Sequence, residues 1–370
     1  MKRIIQILIV FLIFLIINCS NKTEVKYKEI KVDNRDSGVR FEFVKRVKIE
    51  GTAYNSVYAY EKGLLVRGFK NRKNIIAKRY DFDMNLIDEH EFRNGQGPGE
   101  FGGSAQFVYC NNKWYAFDNT IQRLSIFDND FNFIRLYVAK SGYPTPLIVD
   151  NCKKIFTVYD SGNGIEFDRL IFLRLSIPDF KKEILFETED IRVRNNKKKA
   201  VLPILPCSYF YKKPRIYFLR PDRYEISIYD EKEEKFIKGI RVRFEKVKTD
   251  KSMYDEWFID YGIRRNKERY VFPDYIYPVS NIINLKKGFI VIRNNNGYFV
   301  NCKGLVDGDY YDYGLNFKGK VKIPCFYRIN RICYYQFFRL CYSIYEDNFY
   351  LIKEDERKEE IWLERWRFKE

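Results

Sequence analysis

Nucleophilic catalysis needs a base held beside a serine, threonine or cysteine, and this 370-residue chain offers one imidazole, His90. It stands in Asp88-Glu89-His90-Glu91-Phe92, at a strand end, among carboxylates that favour the charged ring. That setting describes a surface histidine better than a catalytic base. A single histidine also argues against His-rich metal chemistry, and neither a metal nor another cofactor is expected. Asp128-Asn129-Asp130-Phe131-Asn132 has the alternating oxygens of a calcium loop but lacks the glycine at the sixth place and the distal glutamate. The same spacing recurs at Asp81-Phe82-Asp83-Met84-Asn85, so both read as hairpin turns. With 50 acidic residues, spacing alone singles out no pair for carboxylate-based hydrolysis.

Glycines of a phosphate-cradling kind stand in Phe92-Arg93-Asn94-Gly95-Gln96-Gly97-Pro98-Gly99-Glu100-Phe101. The Lys-Ser/Thr ending of a P-loop is missing and no helical pattern follows, so a structural loop is predicted. Gly95, Gly97 and Gly99 then permit positive φ and close backbone approach, while Pro98 fixes its own φ. Glu100 is placed to accept from backbone amides, and Phe101 to lock the loop onto the next unit. Beyond Cys19 the cysteines are Cys110, Cys152, Cys207, Cys302, Cys325, Cys333 and Cys341, with no C-x-x-C among them. Their number is odd, so at least one thiol stays unpaired. Aromatic and aliphatic neighbours make buried core cysteine the favoured reading, with a Cys333–Cys341 bridge across a hairpin left open.

What must position these residues is a repeated strand unit. Arg79–Ile87 and Ser125–Ile134 share an aromatic strand end, an Asp/Asn turn and a second strand. Looser copies surround Asp230, Asp312 and Asp179. A second strand pair precedes the hairpin, as in 105–118, 147–160 and 282–292, so each unit is a meander of four strands. Units are predicted at 54–90, 104–136, 146–186, 206–240, 279–322 and 340–368, with the alternating strand Val39–Ile49 completing the last. The expected fold is all-β: a six-bladed β-propeller of four-stranded antiparallel blades, closed by both chain ends. One short inserted helix is predicted after Thr249 or Asp250, with Met253, Tyr254, Trp257, Phe258 and Tyr261 on one face, packed against the ring.

The N-terminus reads as an export signal. Lys2 and Arg3 precede an apolar run, Ile4 to Ile17, broken only by Gln6. As a helix those residues rise about 21 Å, short of a hydrocarbon core of about 30 Å. The run ends in Ile16-Ile17-Asn18-Cys19-Ser20, which resembles the lipobox of bacterial lipoproteins, in departure from it only by Ile16 and Asn18. That resemblance implies acylation of Cys19 and a membrane anchor of about 0.8 kcal/mol per buried methylene. Expected boundaries are a signal peptide at 1–18, a lipidated polar tether at 19–38 and the propeller at 39–370.

The Gly-x-Gly-Pro-Gly-Glu-Phe run at 95–101 resembles the signature of bacterial six-bladed propellers related to NHL repeats, many of them lipoproteins or exported. Ala105 to Leu136 is similar to one such repeat, and Tyr270–Tyr275 to the segment leading into a late blade. The resemblance implies a bacterial cell-envelope protein, lipid-anchored at the outer membrane or facing the periplasm. An aromatic content of 18% excludes disorder. The net charge of +17 is spread along a Lys-, Asn- and Ile-rich chain and reads as compositional drift; together with export, it points away from nucleic acid. The expected role is non-catalytic binding of a protein, peptide or glycan by a monomer, with Arg215–Arg223 and Arg264–Tyr275 as candidate surfaces. Two alternatives stand beside it: a carboxylate-based glycan lyase or hydrolase, and an accessory lipoprotein of nutrient uptake.

Overall fold

The computed structural model describes residues 25–369 apart from 51–52, 139–145, 151–153, 161–168, 177–180, 190–192, 195–198, 202–207, 249–269, 272–274, 294–304, 325–341, 356–359 and the single positions 26, 72, 104, 119, 122, 221 and 276. Every described element is a strand. In chain order they begin with β1 (Tyr27–Lys31) and β2 (Arg40–Ile49). Then come β3 (Ala53–Tyr60), β4 (Gly63–Lys70), β5 (Asn74–Tyr80) and β6 (Leu86–Phe92), followed by β7 (Ala105–Cys110), β8 (Lys113–Asp118), β9 (Arg123–Asp128) and β10 (Phe133–Val138). Next are β11 (Pro146–Asp150), β12 (Lys154–Asp160), β13 (Arg169–Ser176), β14 (Lys182–Glu189), β15 (Val193–Arg194) and β16 (Lys199–Val201). The second half holds β17 (Ser208–Lys212), β18 (Arg215–Arg220), β19 (Glu225–Asp230), β20 (Lys235–Arg243), β21 (Tyr270–Val271), β22 (Val279–Asn284), β23 (Gly288–Arg293), β24 (Leu305–Asp312), β25 (Phe317–Pro324), β26 (Tyr342–Tyr345), β27 (Asn348–Asp355) and β28 (Glu360–Lys369).

These strands form a propeller of antiparallel blades. Five blades have four strands: β3–β6, β7–β10, β11–β14, β22–β25, and β26–β28 with β2. Six four-stranded blades are predicted from the sequence, and five is the correction. The meander at 206–240 exists as β17–β20, but β1 pairs in parallel with β20 and makes that sheet five-stranded. A small sheet of β15, β16 and β21 is additional. The predicted helix after Thr249 lies outside the described residues, and no helix occurs among the described ones. Neighbouring sheets meet through their first strands: β3 against β7, β7 against β11, β11 against β17, β17 against β22, and β26 against β3, while β2 touches β25.

Between sheets the core is aromatic. Trp114, Phe92, Phe101, Phe107 and Phe127 fill the gap between β3–β6 and β7–β10, and Trp114 is fully buried. Tyr217, Tyr224, Phe289 and Tyr311 do the same between β17–β20 and β22–β25. Edge-to-face and offset pairs of this kind contribute about 0.5–1.5 kcal/mol each beyond area burial. Every fourth strand carries a register shift against the third: β6, β10, β14, β20 and β25, and likewise β2 against β28. Such bulges twist the outer edge and oppose pairing with another chain.

The described part of the segment expected as a tether, from Tyr27 onward, lies on this rim. From β1 on the β17–β20 sheet, the chain passes to β25, where Lys320 donates its amide to Arg35 O at 2.8 Å and Ser37 donates to Lys320 O at 3.0 Å. It then becomes β2. Residues 27–49 therefore strap three consecutive sheets together.

Candidate functional site

The repeated Asp/Asn spacing is a turn with a fixed design. In 81–85 the Asp81 Oδ1 accepts the Asn85 N–H at 2.8 Å, and Asn85 Nδ2 donates to Asp81 Oδ2 at 2.8 Å. Asp128 with Asn132 repeats this at 2.8 and 2.9 Å, and Asp312 with Asn316 at 3.0 and 3.0 Å. These bonds hold all three carboxyls below the usual aspartate value, although burial opposes the shift at Asp312. The fourth residue of each turn, Met84, Phe131 or Leu315, has φ of 64°, 60° and 62° and is buried. Each inserts into the core shared with the preceding sheet, Phe131 stacking on Trp114 with ring centroids 5.1 Å apart. The oxygens that suggested calcium at 128–132 thus bind the turn's own amides.

At 93–103 the glycine loop closes on itself. Gly95 N–H donates to Phe101 O at 3.0 Å and Phe101 N–H to Arg93 O at 3.1 Å. Glu100 Oε2 accepts the Gly97 N–H at 2.7 Å, and Phe101 is buried edge-on against Phe92, centroids 5.2 Å apart. Pro98 lies in the tight turn closed by the Glu100 N–H to Gly97 O bond of 3.1 Å. Of the three glycines only Gly99 has positive φ, at 77°. Gly95 and Gly97 are needed for a different reason: a Cβ would lie 2.1 Å and 2.9 Å, respectively, from Glu100 Oε2. Position 95 is therefore the tighter one.

His90 contradicts the expected charged ring. Its imidazole packs on Phe92 and Phe131, centroids 4.5 and 5.3 Å away, and desolvation holds its pKa below 6.5. Asp88 pulls the other way but is already engaged by Arg79 Nε at 2.7 Å. A buried ionisable group is Asp309, fully enclosed, which accepts from Tyr224 OH and lies 3.5 Å from Arg293 Nε. Burial raises its pKa, and Tyr224 OH also meets Tyr311 OH at 3.0 Å. This cluster ties two sheets and has no opening to solvent at Asp309.

Among the described residues, an accessible site lies where first strands converge. A cavity of about 750 Å³ is lined by first-strand residues Tyr58, Tyr209, Phe210, Ile282, Asn284, Tyr342, Ser343 and Ile344, and by turn residues Leu285, Lys286, Glu346 and Asp347. Because a meander alternates direction, turns between first and second strands share a face with the Asp/Asn turns. The cavity opens on that face, and the glycine loop, which joins a fourth strand to the next first strand, lies on the other. Ala59 N–H donates to Ser343 Oγ at 2.8 Å, and Lys286 Nζ stands 4.0 Å from Asp347 Oδ1, so adjacent sheets are linked around the mouth. Tyr313 OH fixes Asn284 through its Oδ1 at 2.8 Å. Desolvation pushes the Tyr58 hydroxyl up to about 12, keeping it a donor at neutral pH. The wall joins aromatic rings to hydroxyl, amide, ammonium and carboxylate groups, the mixture used to orient a polar ligand.

Sequence reasoning missed this cavity, since its lining comes from four separate sheets. Of the surfaces proposed from sequence, Ile216 to Arg220 is a buried strand, and Arg264 to Tyr275 lies mostly outside the described residues. Cys19 also lies outside them. Cys110 is buried, as expected of a core cysteine, and is disulfide-bonded.

No family model matches the chain, and no curated protein matches it. Two solved structures share its architecture. One, from Bacteroides fragilis and described as an exported protein, has 12% identity and a TM-score of 0.54, covering 93% of this chain and all of its own. The other, a member of the DUF4221 family from Bacteroides vulgatus, has 13% identity and a TM-score of 0.55, covering 90% of this chain and 99% of its own. At that identity the likeness concerns fold alone, and the fold it supports is a β-propeller; it does not carry the NHL-type family that the glycine loop resembles.

Proposed function

We propose that the chain is an exported, lipid-anchored β-propeller that binds a glycan or peptide at the mouth of its central channel without transforming it. The observation that carries this reading is the 750 Å³ cavity with its mixed aromatic and polar wall. Export is supported by the apolar leader ending at Cys19, by the disulfide at Cys110, and by the likeness to a protein described as exported. The carboxylates lining the cavity, Glu346 and Asp347, are successive exposed turn residues, a poor arrangement for the facing acid and base of a glycan hydrolase. Thermal-shift screening of envelope oligosaccharides and peptides should find a stabilising ligand. Tyr342→Ala and Lys286→Ala should each weaken that ligand about tenfold, a loss of about 1.4 kcal/mol. Undiminished affinity in both variants would place the ligand elsewhere.

A further inference from the structure

The ring is electrically lopsided along its rim. On the strapped half, β20 carries Lys235, Lys238, Arg241 and Arg243 with no acid, and β25 carries Lys318, Lys320 and Lys322 with no acid. β2 has four basic residues against Glu42, and β1 has Lys28 and Lys31 against Glu29. Thirteen basic residues thus face two acidic ones. The outer strands of the other three blades reverse the balance: β6 has Asp88, Glu89 and Glu91, β14 has Lys182 against Glu183, Glu187 and Glu189, and β10 has only Arg135. Two basic residues there meet six acidic ones.

Ion pairs with inner strands trim the contrast on both sides, as in Arg241–Glu225 and Lys322–Asp307 on one and Lys70–Glu91 and Arg79–Asp88 on the other. Four cations of the strapped rim nevertheless have no carboxylate partner among the described residues: Lys28, Lys31, Arg46 and Lys238. Beside Lys45 and Arg46, Phe43 and Val44 are 51% and 40% exposed.

The N-terminus leaves from this same rim. Tyr27 is seated opposite Gly239 of β20, and Cys19 precedes it by eight residues, a reach of at most about 28 Å. An acylated Cys19 would therefore bring the basic edge, and not the acidic one, against the bilayer. We propose that the rim made by β20, β1, β25 and β2 docks edge-on to an anionic bilayer surface, orienting the ring that the acyl anchor tethers. The arrangement rests on the lipoprotein reading for its biological setting, though the rim's affinity does not depend on acylation. Each lysine or arginine near such a surface contributes about 1 kcal/mol and is screened by salt, so the rim sets the orientation of a chain that the acyl groups of a lipobox cysteine already hold. With the rim down, the ring's axis lies along the membrane, leaving the cavity mouth open to solvent.

Vesicle sedimentation tests this with the chain from residue 19 bearing Cys19→Ser, which keeps every described residue and has no acyl group. It should bind phosphatidylcholine vesicles containing 30 mol% phosphatidylglycerol at least tenfold more tightly than phosphatidylcholine alone, and lose that excess in 1 M salt. Lys28→Glu, Lys31→Glu and Lys238→Glu together should remove most of the excess, while Arg135→Glu on the opposite rim should leave it, all with unchanged melting temperature. Equal binding to both vesicle types would overturn the proposal, as would equal effects of the two rims. Palmitate labelling of the full chain, lost on Cys19→Ser, reads the anchor separately, so either idea can fail without the other.

Discussion

At the scale of single residues, glycine is retained in the 93–103 loop because a carboxylate occupies the space where a side chain would begin. Gly95→Ala would set a Cβ 2.1 Å from Glu100 Oε2. The carboxylate must then swing out, and the Gly97 N–H loses its 2.7 Å acceptor in a part-buried place. Loss of a charged acceptor for a partly buried amide costs about 1–3 kcal/mol. Gly95→Ala is expected to lower the melting temperature by several degrees, and Glu100→Ala in the same background should add little more, because the two changes break one contact. Additive losses, measured by calorimetry on the double-mutant cycle, would mean that the glycine and the glutamate act separately. The sequence shows this loop as structural, yet it cannot show that only Gly99 uses its conformational freedom, since the crowding at Gly95 comes from a side chain folding back.

At the scale of elements, legibility follows the range of the interaction. The Asp/Asn turns were readable because the bonds that define them join residues four apart, and the alternating strands because burial is periodic. β1 was not. Its sequence, Tyr-Lys-Glu-Ile-Lys, has too little apolar pattern to mark a strand, and its order comes from main-chain pairing with β20, a distant segment. That pairing has one vulnerable point. A Cβ at Gly239 would meet Val25 Cγ1 at 2.7 Å and the Tyr27 ring at 2.8 Å. Gly239→Leu should unseat β1 while β20 keeps its antiparallel partner β19, leaving the ring closed. Trypsin should then cut after Lys28 and Lys31 at least tenfold faster than in the parent chain, with far-ultraviolet circular dichroism nearly unchanged. Unaltered cleavage would show that the strap is held by its bonds to β25 and not by β1.

Across the whole molecule, whose sheets contact one another mainly through their first strands, two features far apart in sequence bear on stability. One is the sharing of a blade by both ends, β2 pairing with β28 from Arg40–Lys369 to Ile49–Ile361. The alternating pattern of Val39–Ile49 made this one legible. The other is the disulfide at Cys110, on the last residue of β7, which was illegible because spacing among the seven cysteines beyond Cys19 does not select partners. Cys110 is 2% exposed, so its bond is shielded from reductant in the folded chain and its loss acts mainly through the unfolded state. Cys110→Ser should lower stability by about 2–4 kcal/mol without changing the melting cooperativity, as expected for a cross-link added to a ring that closes by packing. Chain recovered after export and denatured without reductant should resist alkylation at Cys110, whereas chain retained in the reducing cytosol should be alkylated there. Equal alkylation in both preparations would remove the disulfide as support for export and leave that assignment to the leader sequence and the likeness to an exported protein.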